Sequence, residues 1–242
     1  MSSGHGSWQH FSDSAARYAA DIPDYELHPD PYSRTRILLD WVGKDKRVLE
    51  LGCSTGYMSK YMSQKNRCSV FAIEMDPLAA QQARPFCEEV LVRDLNQPNT
   101  LAGVPAGAFG AVLMGDLLEH LVDPRGLLIQ LREVLAPDSK IVICLPNVLH
   151  WINRMKMFFG HFDYEDAGTL DHTHLRFFTV ESARDLIASA GYRITKFYPA
   201  FGGRFAGHAR PVWQLLANWF PGLFAFQLLF EALPVSPPAP RE

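Results

Sequence analysis

The stretch Val48-Leu-Glu-Leu-Gly-Cys-Ser-Thr-Gly56 constrains the fold more than any other part of the chain. An apolar run closes on an acid, Glu50, a turn of small residues follows, and Tyr57 to Ser63 opens as a helix. Gly52 lets the backbone turn sharply, and Gly56 lets it approach a ligand closely. A strand that ends in such a turn and passes into a helix is the first unit of a parallel sheet. The chain then repeats the alternation. Ser69 to Glu74 reads as a second strand, Val90 to Val92 as a third, Phe109 to Met114 as a fourth, Lys140 to Leu145 as a fifth and Tyr192 to Tyr198 as a sixth. Helical patterns separate them at Pro77 to Arg84, at Pro124 to Leu135, and from a Thr179 cap to Ala190, where Gly191 stops the helix. The expected fold class is α/β, a mostly parallel sheet with helices on both faces.

The glycine-rich turn has company at the same end of that sheet. Glu74 ends the second strand, where an acid can accept both ribose hydroxyls of an adenosine. Asp94, in Arg93-Asp-Leu-Asn96, follows the third strand and can accept from an adenine amino group. All three elements lie at the carboxyl ends of parallel strands, where open sheets of this kind bind ligands. A nicotinamide-dependent dehydrogenase would want G-x-G-x-x-G to seat a pyrophosphate on the helix N-terminus. Gly52-Cys-Ser-Thr-Gly56 lacks that spacing, and Glu50 beside it would repel a pyrophosphate while suiting an ammonium group.

In these segments the chain resembles the class I S-adenosylmethionine (SAM)-dependent methyltransferases, over about Arg47 to Tyr198. Glu50-Leu-Gly-Cys-Ser-Thr-Gly56 is similar to their first motif, with Ser54 where many members carry a middle glycine. Ile73-Glu74 is similar to the second motif, Asp94-Leu95 to the third, and Gly115-Asp-Leu-Leu-Glu-His120 to the segment after strand four. The resemblance implies a Rossmann-like sheet of seven strands with an antiparallel last strand. It also implies SAM as cofactor. Glu50 and Gly52 would serve the methionine end, Glu74 the ribose, and Asp94 and Leu95 the adenine. Ser54, Gly56, Met75 and Asp116 complete the expected cofactor set. Leu223 to Leu233 is the candidate for the seventh strand on its aromatic content, against a reading as an amphipathic helix on a membrane surface. A short helix near Pro211 to Trp219 is expected in the connection before it.

Methyl transfer needs alignment of acceptor and methyl group and, for an oxygen acceptor, loss of a proton. The candidate catalytic residues are His120, His150 and His174. Asp116, Glu119 and His120 have spacing i, i+3, i+4 and would share one face of a helical turn after strand four. Carboxylate with imidazole suits a general base or a divalent metal, and a structural role is the third reading. Leu170-Asp-His-Thr-His-Leu-Arg-Phe-Phe-Thr179 adds His172 and His174. Small-RNA 3′-terminal 2′-O-methyltransferases carry a similar Glu-x-x-Glu-His run and a later metal-binding His, and ubiquinone-pathway O-methyltransferases a comparable run. The resemblance thus implies Asp116, Glu119, His120 and His174 as the ligands of magnesium or manganese, if a metal is present, with Asp116 a shorter ligand than Glu. His150 follows strand five at the ligand mouth, as an acceptor contact, a base or a structural histidine. Arg154, Lys156 and Arg176 could hold an anionic acceptor group or form a solvated face.

Pro146 to Trp151, Phe162-Asp-Tyr164 and Asp171 to Phe178 together resemble a bacterial branch acting in sugar, surface-glycan and secondary-metabolite pathways. The expected function is therefore O-methylation of a small-molecule hydroxyl. The alternatives are an N-methyltransferase and a non-catalytic SAM-binding regulator.

One domain is expected over residues 1–233 of the 242. Residues 1–41 and 147–178 are read as lids, since long insertions at the ligand end of a sheet are usually functional. Residues 234–242 are proline-rich and read as a disordered tail. With 48% hydrophobic residues a sizeable core is available, and a formal charge of -3 argues against general nucleic-acid binding. Met1 to Ser7 does not read as a signal peptide, and no apolar run is long enough for a membrane span. The four cysteines form no CxxC pair, so a reducing, cytoplasmic setting is expected. A small-molecule acceptor is the expected partner, and no oligomeric state is signalled.

Overall fold

Strand residues sort by parity onto two faces. In β1 (Arg47–Leu51), Val48 joins one apolar cluster while Leu49 and Leu51 join another. The same alternation runs through β2 (Ser69–Glu74), β4 (Phe109–Gly115) and β5 (Leu135–Pro146), as period-two geometry requires. A computed structural model describes residues 32–202 and 210–235. Its sheet has seven strands in the order β3-β2-β1-β4-β5-β7-β6, with β3 at Glu89–Val92, β6 at Tyr192–Ala200 and β7 at Gln227–Pro234. The first five are parallel, and β7 runs antiparallel between β5 and β6. The order reverses between β1 and β4, which opens a crevice at the carboxyl ends of those two strands.

One face is covered by α1 (Arg34–Val42) and α2 (Tyr57–Gln64), whose Leu38, Leu39, Val42, Met58 and Met62 pack on Val48, Ala111 and Leu113. The other is covered by α4 (Pro124–Val134) and α6 (Val180–Ser189), through Leu127, Leu128, Leu131, Ala183 and Ile187. Between β2 and β3, α3 (Pro77–Ala83) starts on an Asp76 cap and a first-turn proline. The insertion after β5 contains α5 (Trp151–Phe158), and α7 (Arg210–Trp219) and α8 (Pro221–Phe224) precede β7.

Several sequence expectations change here. Of the N-terminal lid, residues 1–31 lie outside the described residues. Arg34–Val42 is not a lid but a core helix, because its apolar stripe fits the groove over β4 and β5. The seventh strand is a strand, yet it begins at Gln227 rather than Leu223, because Pro221 starts a helical turn that ends at Phe224. Pro234 belongs to that strand, and the Val235 N–H donates to the Gly191 carbonyl at 2.9 Å, so the ordered chain runs into the expected tail. Residues 236–242 lie outside the described residues. The 147–178 insertion does leave and return at one place. Asn147 bridges Phe178, and the Val148 N–H donates to the Phe178 carbonyl at 2.9 Å, beyond the carboxyl end of β5.

Candidate functional site

The turn after β1 is built by its neighbours. Gly52 has φ 71° and donates its N–H to the Ile73 carbonyl at 2.8 Å, so it is locked to β2. Gly56 has φ 82°, and a Cβ there would lie 2.7 Å from the Ala83 Cα. The space a side chain would need is thus filled by α3, so the packing of α3 against the turn also requires a glycine here. Ser54 also holds a positive φ, 50°, unusual for a residue with a side chain.

Glu50 is fully buried and accepts from the Ser59 hydroxyl on α2, while its Oε1 has no partner. Burial pushes its carboxyl up to about 8. The Ser54 hydroxyl, beside it in the turn, is likewise buried without a partner. Glu74 accepts from the backbone N–H groups of Ser54 at 2.8 Å, Met75 at 2.7 Å and Asp76 at 2.9 Å. Asp94 accepts from the Asn96 N–H at 2.8 Å and from the Gln97 amide at 3.3 Å, with Leu95 half-buried next to it. Glu50, Gly52, Ser54, Glu74, Met75, Asp94 and Leu95 thus lie along the carboxyl ends of β1, β2 and β3. The orphaned Glu50 oxygen and Ser54 hydroxyl fit the ammonium and carboxylate of an amino-acid group, and the acids of β2 and β3 fit a nucleoside.

Asn96 is a residue that sequence reasoning missed. Its side chain donates to the His120 carbonyl at 3.2 Å and accepts from the Val122 N–H at 2.8 Å, tying the loop after β3 to the loop after β4.

Asp116 departs from the expected geometry. The helical turn after β4 covers only Leu118–His120, and Asp116 before it has φ 55°. Its carboxylate is taken by the Arg34 guanidinium and by the Gln227 amide at 2.8 Å. It therefore does not share a face with Glu119 and His120, and it is not part of their cluster. Arg34 and Gln227 come from opposite ends of the chain, so no local pattern announced them.

Glu119, His120 and His174 do come together, their ligand atoms all within 4.8 Å of one another. The insertion is pinned onto this turn by the Leu175 and Arg176 N–H groups, which donate to the Glu119 carbonyl at 2.8 and 3.0 Å. The rings of His120 and His174 meet edge to face at 4.9 Å. His174 Nε2 lies 4.0 Å from Glu119 Oε1, while His174 Nδ1 and Glu119 Oε2 are buried without partners. His120 Nδ1 lies 3.2 Å from both the carbonyl and the hydroxyl oxygen of Thr173. Burial, then the nearby Asp116 charge, holds the Glu119 carboxyl well above the usual range. Burial pushes both histidines down, and His174 is lowered further by His120. Neutral imidazoles at pH 7 are the result. His172, by contrast, is half-exposed and bound to the Glu165 backbone, apart from this group.

His150 sits one residue before α5. It is buried among Trp151, Phe201 and Phe226, with ring centroids 6.0, 6.4 and 5.5 Å away. Burial pushes it down to about 4, and its Nε2 has no partner. Of the expected cationic contacts, Lys156 is paired with Glu165, and Arg154 and Arg176 donate to backbone carbonyls of Gly222 and Val122.

Residues 26–196 match the model of a methyltransferase domain family. The chain is 30% identical over 134 residues to the ubiquinone biosynthesis O-methyltransferase of Xanthomonas oryzae pv. oryzae, covering 53% of this chain and 55% of that one. It is 28% identical over 109 residues to a probable chloroplastic tocopherol O-methyltransferase of Oryza sativa subsp. japonica, covering 41% of this chain and 29% of that one. The chain thus spans about half or less of the length of these curated relatives. A SAM-dependent methyltransferase of Thermotoga maritima, described as a possible histamine N-methyltransferase, superposes with a TM-score of 0.63 at 15% identity, covering 93% of this chain and 98% of that one. A seven-stranded sheet with this strand order, a ligand crevice at the β1–β4 reversal and a family match across most of the chain lead to one conclusion: the chain belongs to the class I SAM-dependent methyltransferases.

Proposed function

We propose that the protein methylates a hydroxyl oxygen of a small molecule, such as a sugar, glycan or natural product. The observation that carries this reading is the pairing of half-buried His120 with buried His174 at the carboxyl end of β4, both held neutral by desolvation. A hydroxyl must shed a proton to become a good nucleophile, and a neutral imidazole can take it. A neutral amine needs no such help before it attacks. The O-methyltransferase names of the two curated relatives support the same choice.

SAM supplies a methyl group already activated on a sulfonium. The chain's own residues bind and orient it. Glu50 and Ser54 hold the methionine end, Glu74 the ribose, and Asp94 and Leu95 the adenine. Asp116, fixed by Arg34 and Gln227, sets the crevice wall between β1 and β4. His150 is a weak base at about 4, so its role is to accept or donate a hydrogen bond that orients the acceptor rather than to remove the proton. The 147–178 insertion covers the acceptor and excludes water. Four free thiols, three of them buried, suit a reducing cytoplasmic setting.

A second reading rests on a specific observation, the convergence of Glu119, His120 and His174 within 4.8 Å with two orphaned ligand atoms. Such a set could hold a divalent cation, and two imidazoles with one carboxylate suit manganese better than magnesium. Asp116 is not available as a fourth ligand.

The test is turnover. Purified protein, SAM and panels of phenols, sugars and primary amines are assayed for S-adenosylhomocysteine and methylated product. Methylation of hydroxyls with none of amines supports the reading. Methylation of amines alone, or no turnover with any acceptor or cell extract while SAM binds, defeats it.

A further inference from the structure

The ring of His120 is held by a neighbour whose carbonyl can only accept. Its Nδ1 lies 3.2 Å from the Thr173 carbonyl oxygen and 3.2 Å from the Thr173 hydroxyl oxygen. A carbonyl has no proton to give, so a bond to it requires that Nδ1 carry the hydrogen. The hydroxyl agrees, because its own proton is committed elsewhere. It donates to Asp171 Oδ1 at 2.6 Å, and the Thr173 N–H donates to the same oxygen at 2.8 Å. Thr173 therefore presents lone pairs to His120 from its carbonyl and its hydroxyl together. In a neutral imidazole with the hydrogen on Nδ1, the ring lone pair sits on Nε2.

The fold keeps these groups in register. Asp171 is buried. The Leu175 and Arg176 N–H groups clamp the insertion to the Glu119 carbonyl, one residue before His120. From the other side the Asn96 amide donates to the His120 carbonyl at 3.2 Å. The loop that carries Asp171 is closed by Glu165, whose N–H donates to the Leu170 carbonyl at 2.9 Å and whose carbonyl accepts from the His172 N–H at 3.0 Å. On His174, by contrast, Nδ1 has no partner among the described residues, and Nε2 stands 4.0 Å from Glu119 Oε1, longer than a hydrogen bond.

We infer that Thr173 and Asp171 are positioning residues that lock His120 in its Nδ1–H tautomer, and that Nε2 of His120 is the atom that takes the acceptor's proton. The inference rests on the reading above of a hydroxyl methylated with the help of a histidine. As the hydroxyl oxygen bonds to the methyl carbon, the C–S bond breaks and its electron pair stays on sulfur, giving S-adenosylhomocysteine. The hydroxyl proton passes to Nε2, and the imidazolium later yields it to water. Asp171 acts through Thr173. It keeps the threonine's proton turned away from Nδ1, and its charge favours the imidazolium once formed.

The experiment uses the full chain with its histidine rings labelled in heavy nitrogen. Long-range proton–nitrogen correlation spectra separate ring nitrogens that carry a hydrogen from those that carry a lone pair, and His120→Ala identifies the His120 signals. The parent is expected to show the His120 hydrogen on Nδ1. Thr173→Val and Asp171→Asn are expected to populate the other tautomer and to lower kcat about tenfold or more on a hydroxyl acceptor from the panel, with KM for SAM unchanged. Thr173→Ser keeps the hydroxyl and is expected to restore the parent's spectrum and kcat, a rescue that repaired packing alone would not give. A hydrogen on Nε2 in the parent would overturn the proposal. So would Thr173→Val and Asp171→Asn variants with the parent's spectrum and kcat, or a larger loss of kcat in His174→Ala than in His120→Ala. The spectrum needs no acceptor, so a wrong tautomer and a failure to methylate hydroxyls are separate results.

Discussion

The carboxylate of Glu74 accepts the backbone N–H of Ser54 at 2.8 Å, so the acid that ends β2 holds the glycine-rich turn that follows β1. The N–H groups of Met75 and Asp76 occupy the same side chain. About three of a carboxylate's four lone-pair directions are therefore used inside the protein. A ribose diol offers two donors, so if Glu74 holds the ribose as proposed, one hydroxyl would have to compete with Ser54 for it.

That arrangement gives Glu74→Ala two separable effects. Loss of three backbone partners is expected to lower unfolding stability by about 1–3 kcal/mol, and SAM affinity by a similar amount. Denaturant unfolding without ligand and calorimetric titration with SAM read them separately. The Ser54 amide resonance should move when SAM binds. An unchanged affinity in Glu74→Ala would place the ribose elsewhere.

Gly56→Ala is expected to destabilise the protein by about 2–5 kcal/mol. A left-handed φ costs a residue with a side chain about 1–2 kcal/mol, and overpacking adds about 1–3. The clash is with backbone of α3, 2.7 Å away, which cannot swing aside as a flexible side chain would. Urea unfolding measures the loss. A stability change under about 1 kcal/mol would mean that α3 yields easily.

Glu50 should make both stability and SAM binding depend on pH. Its folded value of about 8 lies above the ordinary 4.5, so the folded chain keeps a proton that the unfolded chain has released. Stability from this group is complete below about 4.5 and falls as pH rises toward about 8. A bound ammonium favours the charged carboxylate, so SAM affinity should rise over the same window with release of a proton. Calorimetry in buffers of different ionisation enthalpy counts that proton. Glu50→Gln should abolish both the release and the stability slope.

The histidines separate proton transfer from metal assistance. If His120 or His174 takes the proton, one of the two alanine substitutions should lower kcat by about 10²–10⁴-fold and leave SAM affinity intact. The other should be mild, and chelation should change nothing. If instead the Glu119 cluster holds a cation, chelation abolishes activity, manganese restores it, and both substitutions are severe and non-additive.

How much of this was legible in the chain follows from the range of each interaction. Val48 to Gly56 announced a strand, a turn and a helix because apolar alternation and small residues act within a few positions. The Asp76 cap, the Thr179 cap and the strands at Ser69–Glu74 and Phe109–Gly115 are local in the same sense. The sheet order then brought Glu50, Glu74 and Asp94 to one end, as the alternation of strands and helices implied. Tertiary packing alone decided the rest. Asp116 was captured by Arg34 and Gln227, which are 82 and 111 residues away. Helix Arg34–Val42 went to the core because a groove over β4 and β5 was there to receive it. Glu119 and His174 became neighbours because the insertion hydrogen-bonds back onto the turn after β4. The buried amides of Asn153 and Gln214 found their carbonyl partners on Val148 and Pro199 only where the fold brought them together. Backbone propensity and hydrophobic period are short-range and can be read along a sequence. The choice of a partner for a charge or an amide depends on which distant surface folding brings within about 3 Å, and only the assembled fold decides it.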